Sequence, residues 1–116
     1  MLRFSNICTD WKTRVKSDRQ LVRWYQKYNR MYFDGKLPDA YVWYEVPAGA
    51  YADCDIVEGV WRIRINPSLA GWQSVAKLTL LHEQAHIKLH PYRKHGKRFN
   101  AEMLRLAECG AFNDLW

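Results

Sequence analysis

At 116 residues the chain has length for one domain with one core. It is 48% apolar and 15% aromatic, too rich in core-forming residues for a disordered chain, and no stretch nears the ~18 apolar residues of a membrane span. The net charge of +6 sits wholly in the first third: residues 1–36 hold nine Lys or Arg against three Asp, whereas residues 37–116 hold nine basic and nine acidic groups. Cys8, Cys54 and Cys109 are odd in number and far apart, and no Cys-x-x-Cys pair occurs. Reduced thiols, no secretory signal and a cytoplasmic (nucleoid-associated) or nuclear monomer are the expectation.

In chain order, residues 1–16 read as a basic extension and residues 17–116 as the domain. Ser17 with Gln20 forms a capping-box signal. A helix over about 18–33 follows, with Leu21, Trp24, Tyr25, Tyr28, Met31 and Tyr32 on one face. Lys16, Arg19, Arg23, Lys27 and Arg30 share the opposite face, and Gly35 with Pro38 ends the helix. Strands are predicted over 41–46, over about 50–55 and over 60–66. The last alternates Trp61, Ile63 and Ile65 against Arg62 and Arg64. A second helix over about 73–90 carries Val75, Leu78, Leu81, Ala85 and Leu89 at helical spacing, and Pro91 stops it. A third, over about 97–108, turns Phe99, Met103, Leu106 and Ala107 inward.

All four histidines lie within fourteen residues, and the first part of that window reads His82-Glu83-x-x-His86. Positions i and i+4 of a helix stand about 40° apart, so both imidazoles face one way, at a spacing that suits one tetrahedral zinc ion. Glu83 is placed to reach a water on that ion as general base. A chance match on a surface helix is the bland alternative. Here the surrounding helix is apolar, and buried polar groups need partners, which a metal supplies. A third ligand must come from elsewhere. His90 lies ~12 Å along the axis from His82, too far to share the ion on a straight helix. His95 lies beyond the Pro91 break, where the chain can fold back, and is favoured by reach. His90 then reads as a helix-end histidine. Glu102 or Glu108 is a further ligand option, or an acceptor for the free N–H of a liganding imidazole. Tyr92 is a candidate donor to the oxyanion, against a plain packing or surface role.

Four blocks resemble the SprT-like metalloprotease family: Asn29-x-x-Tyr32-Phe33-x-Gly35-x-Leu37-Pro38, then Ile65-Asn66-Pro67, then Leu81-His82-Glu83-x-x-His86, then His95-Gly96-x-x-Phe99. Their order and spacing agree over about residues 20–108. The resemblance implies a small α+β zincin-like domain, about three helices packed on a short three-stranded sheet. It also implies one Zn2+ on His82, His86 and His95, with Glu83 catalytic. Proteolytic members degrade proteins crosslinked to DNA, so a protein substrate near DNA is implied. Gln84 departs from the family, which has an apolar residue there, and the cysteines of the bacterial relatives' zinc ribbon are missing.

Two basic clusters are the expected non-sequence-specific DNA contacts: the helical stripe above, and Arg93, Lys94, Lys97 and Arg98 around His95. The plain reading of the stripe is a solvated helix face. A strand beside the catalytic helix can take an extended peptide along its edge, and Val60–Asn66 is the candidate, against an ordinary solvent-facing strand. Two other functions stay open. An ImmA/IrrE-like regulatory peptidase would use His90 and cut a repressor, and a non-enzymatic zinc-binding module would bind nucleic acid or protein.

Overall fold

Strand alternation at Trp61, Ile63 and Ile65 organises the domain, because it gives one sheet a fully apolar side. The computed structural model describes residues 11–12, 14–47, 51–113 and 115. Their elements run α1 (Arg19–Tyr32), β1 (Ala40–Tyr44), β2 (Ala52–Val57), β3 (Val60–Ile65), a 3-10 turn (Pro67–Leu69), α2 (Gln73–Leu89) and α3 (Lys97–Glu108). This is the α+β architecture expected, three helices on a three-stranded sheet. None of the described helices is long and apolar enough to cross a membrane.

The strand order is β1-β3-β2, with β1 parallel and β2 antiparallel to β3. Glu58 and Gly59, with φ of 51° and 79°, make the two-residue turn of the β2–β3 hairpin, where both positions must be left-handed. β3 is therefore the central strand, hydrogen-bonded on both sides. The expectation that Val60–Asn66 offers a free edge is corrected: the free edge nearest α2 belongs to β2.

The inner side of the sheet presents Val42, Ile63 and Ile65 to Leu21, Leu80, Leu81 and Leu106, all excluded from water. On the outer side Arg62 pairs with Asp55 at 2.5 Å and Arg64 with Asp53 at 2.7 Å, each across the β2–β3 register. These arginines are outward, as expected, but neutralised. Trp11 is buried against Tyr41 and Trp43 on the same side, so the described end of the N-terminal stretch is packed onto the sheet. Residues 1–10, including Cys8, lie outside the described residues.

Several local readings change. Asp18, not Ser17, caps α1, its carboxylate accepting from Leu21 N at 3.0 Å. Ser17 Oγ instead accepts from Val42 N at 3.1 Å, while Asp18 N donates to Val42 O at 2.8 Å, which docks the entry to α1 on β1. Lys16 consequently precedes the helix and leaves the helical stripe. Met31 is exposed, and Ala107 is exposed on α3, where Glu102 is buried instead.

The Asn29–Pro38 block is a structural clasp. Asn29 Nδ2 donates to Leu37 O at 3.1 Å and its Oδ1 accepts from Leu37 N at 3.0 Å, as a strand partner would. Asp34 and Gly35, with φ of 55° and 70°, provide the reversal that brings Leu37 back, and the Tyr25 hydroxyl donates to Pro38 O. The clasp anchors α1 to the start of β1, while α2 packs on α1, β2 and β3.

Candidate metal centre

α2 delivers His82 and His86 on successive turns of one side. Pro91 ends the helix, the chain reverses through residues 90–96, and Gly96 begins α3, which brings His95 back beside His86. His86 Nε2 lies 3.2 Å from His82 Nε2 and 2.9 Å from His95 Nε2. Ligand atoms of the three all fall within 4.8 Å of one another. Tetrahedral Zn–N bonds of 2.0–2.1 Å set nitrogens ~3.3 Å apart, so the cluster is close to the size such an ion requires.

The chemistry of the donor set fits a cation. A neutral imidazole has a single N–H, so His86 Nε2, in contact with a ring nitrogen on either side, cannot make a full hydrogen bond to both. Burial, then the neighbouring His82 and His95, push the His86 pKa down to about 4, and burial with His95 lowers that of His82. Both rings are therefore held neutral, with lone pairs available to a metal. Phe99, buried at the start of α3, packs on all three imidazoles at centroid distances of 4.8, 4.5 and 4.7 Å. It forms the apolar floor of the cluster, a role the sequence reading missed by treating Phe99 as plain core. Its signal was there: Phe99 follows His95 by one helical turn.

Glu83 is 5% exposed, and its Oε2 has no hydrogen-bond partner among the described residues. Burial, then the Asp53 carboxylate, push its pKa up to about 7. It lines the same cleft as the imidazoles, whose opposite wall is β2 at Ala52, Asp53 and Cys54. The cleft encloses about 300 Å³ and reaches Trp61, His90 and Arg93 at one end. Burial, then Glu83, push the Cys54 thiol up to about 12, so it faces the site as a neutral group.

Other expected groups lie elsewhere. His90 caps the end of α2 and stands edge-on to Trp61 at 5.0 Å, outside the three-nitrogen cluster. Glu102 is held by Lys88 at 2.7 Å and by Arg105 at 2.6 Å, so its oxygens serve a cation pair that ties α2 to α3. Glu108 ends α3, at the opposite end of that helix from His95, and is exposed. Tyr92 is exposed beneath the Arg98 guanidinium, 3.9 Å from the ring centroid, and is not in the cleft lining.

The two basic clusters occupy different sides. Gln84 projects roughly 200° from His82 around α2, and its Nε2 donates to Tyr25 O of α1 at 3.0 Å. α1 thus lies behind α2 as seen from the imidazoles. Arg19, Arg23, Lys27 and Arg30 are all exposed on the far side of α1, and among the described residues none is ion-paired. Two helix layers of 8–10 Å each place this stripe on the order of 20 Å behind the histidines. Arg93, Lys94, Lys97 and Arg98 are exposed around His95, with Arg93 in the cleft itself.

A family model described as the SprT-like family matches residues 21–114. The chain belongs to that family. The matched span runs from α1 through α3 and includes the Asn29 clasp, the histidine cluster and the Phe99 floor. No curated protein and no solved structure matches the chain.

Proposed function

We propose that the protein is a zinc-dependent endopeptidase, with His82, His86 and His95 as ligands of one ion and Glu83 as general base. The observation that carries this reading is the convergence of three imidazole nitrogens beside a buried carboxylate in one open cleft. Zinc, when bound, supplies a Lewis acid and makes a water nucleophilic near neutral pH. Glu83 takes the proton of the attacking water and passes it to the leaving amine, for which a pKa near 7 is well matched. The free edge of β2 holds the substrate backbone as an added strand, with its carbonyl aimed at the histidines.

The substrate class is protein on or crosslinked to DNA. Support comes from family membership and from the exposed cations at the cleft mouth, which make no ion pair among the described residues and which phosphate would neutralise. The rim cluster is the DNA contact that matters for cleavage, and the α1 stripe is a separate, distal one. Replacing Arg93 and Lys97 with Glu should weaken binding of an oligonucleotide and lower the salt dependence by ~0.9 per lost phosphate contact. The ImmA/IrrE-like alternative needs His90 in the metal group and loses its support, since His90 sits against Trp61.

The test is Glu83→Gln. This variant should retain one equivalent of metal and lose ~10²–10⁴-fold in cleavage of DNA-bound protein. Activity surviving in it would remove the assigned base. A wild-type chain that is fully metal-loaded yet inert toward DNA-bound and free proteins would point to a binding module instead.

A further inference from the structure

The cleft is not symmetric about the histidines. Toward Trp61 and His90 it carries the cation Arg93. In the other direction it opens into a space of about 510 Å³ walled by Tyr51, Ala52, Val75, Leu78 and Thr79, which shares His82, Glu83 and His95 with the metal side. Among the described residues of that wall, Glu83 alone carries a formal charge. We infer that this half of the cleft is a side-chain subsite that takes a large apolar residue immediately after the scissile peptide bond. The inference rests on the peptidase reading and adds to it a substrate preference.

The helix explains why the apolar wall is there. Leu78, Val75 and Thr79 precede His82 by four, seven and three residues, so they continue its side of α2 toward the helix start. The side of α2 that holds it to the body is a different one, formed by Ala76, Leu80, Gln84 and Ile87, all buried. Val75 and Leu78 are only half-buried: they pack against the margin of the core and leave part of their surface to line the cleft. Tyr51, 60% exposed, completes the wall from the start of β2. Apolar groups left open beside a reaction centre gain by covering one another with a ligand side chain.

The register of the sheet sets the direction. Ala52, at the apolar end, begins β2, whereas Trp61, at the Arg93 end, is paired with Ile56 near its finish. Antiparallel pairing is the more stable mode for an added strand, and β2 already pairs so with β3. A peptide lying antiparallel on the free edge of β2 enters at the Trp61 and Arg93 end and leaves at the Tyr51 and Leu78 end. The residue beyond the scissile bond therefore falls in the apolar half, and the residues before it face Arg93.

The experiment uses the metal-loaded full chain and tagged peptides that differ only at the residue after the cut, as Leu, Phe, Gly or Asp, with the cut located by mass spectrometry. Leu and Phe should exceed Gly and Asp by ~10–100-fold in kcat/KM. The same order should appear in equilibrium binding of the uncut peptides to the Glu83→Gln variant, measured by fluorescence anisotropy. Leu78→Asp should erase the preference and move it toward Lys, and Val75→Ala, a milder change, should reduce it severalfold if Leu78→Asp does not fold. Cleavage with no preference at that position, or a preference before the bond that Leu78→Asp leaves intact, overturns the subsite while leaving the peptidase standing. Apolar-selective binding to Glu83→Gln without cleavage by the wild type overturns the peptidase and keeps the apolar site.

Discussion

Glu83 and Gln84 are neighbours in the chain, both are buried, and each has one side-chain oxygen without a hydrogen-bond partner among the described residues. They differ in what that oxygen faces. Glu83 borders the cleft beside three imidazoles, while Gln84 points to the other side of α2 and braces it on the backbone of α1. The front of the helix thus holds unmet polar capacity where a ligand and a substrate can use it. The back spends its polar group on a helix–helix tie. One residue of helical rotation separates a group that borders the cleft from one that braces the helix, and the two basic clusters follow the same division between front and back.

The largest effect that should separate the two sides is metal binding. His95→Ala should weaken zinc by more than ~100-fold, beyond what loss of a mere ligand-orienting partner causes, and His90→Ala should leave it nearly unchanged, as titration calorimetry would register. Equal losses would erase the distinction between cluster and helix end.

Next comes the cost of keeping Glu83 dry. In the metal-free chain its folded pKa of about 7 stands above the unfolded value near 4.5, so the folded state holds its proton longer. Its contribution to stability is then complete below about pH 4.5 and falls as pH rises through 7, by roughly 3 kcal/mol or slightly more. Metal-free Glu83→Gln should be more stable than wild type by that amount at pH 8 and about equal at pH 4.5 in urea melts. A pH-independent difference would contradict the burial argument.

A smaller effect is expected at the tie between α2 and α3. Burial would raise the Glu102 pKa, but hydrogen bonds from Arg105 and Lys88 outweigh it and lower the value. This ion-pair contribution is present above the unfolded carboxylate pKa and is lost as pH falls through the lowered one. Both cations are over a third exposed, so Glu102→Ala should cost only ~1–2 kcal/mol at neutral pH, measured by urea melts. The smallest effect belongs to the back of α2. Gln84→Leu loses the bond to Tyr25 but also removes a buried oxygen with no partner, so stability should change by under ~1 kcal/mol and peptide cleavage should not change. A large loss of cleavage there would mean that α1 sets the position of the catalytic side.

The metal side was legible because helical spacing is local: the motif places His82 and His86, and the Pro91 break makes His95 rather than His90 the third member. The rotation of α2 was not legible in the same way. Apolar residues occur around most of that helix, so the sequence does not separate Val75 and Leu78, which pack at the core margin and also line the cleft, from the fully buried Ala76, Leu80 and Ile87. Strand order is also a long-range property: no pattern within Val60–Ile65 says that partners flank it on both sides. Asn29 was quoted as part of a resemblance, and its two bonds to Leu37 became visible only once the chain reversal placed them together.

The indole at position 11 has a practical consequence. A boundary drawn from charge would trim the chain at residue 17, yet that cut would strip the cover from Tyr41 and Trp43 and leave two large rings facing water on the sheet's outer side. Such a shortened domain would keep its histidines and still be prone to self-association, so loss of solubility after trimming would report a bared aromatic surface rather than damage to the histidine cluster.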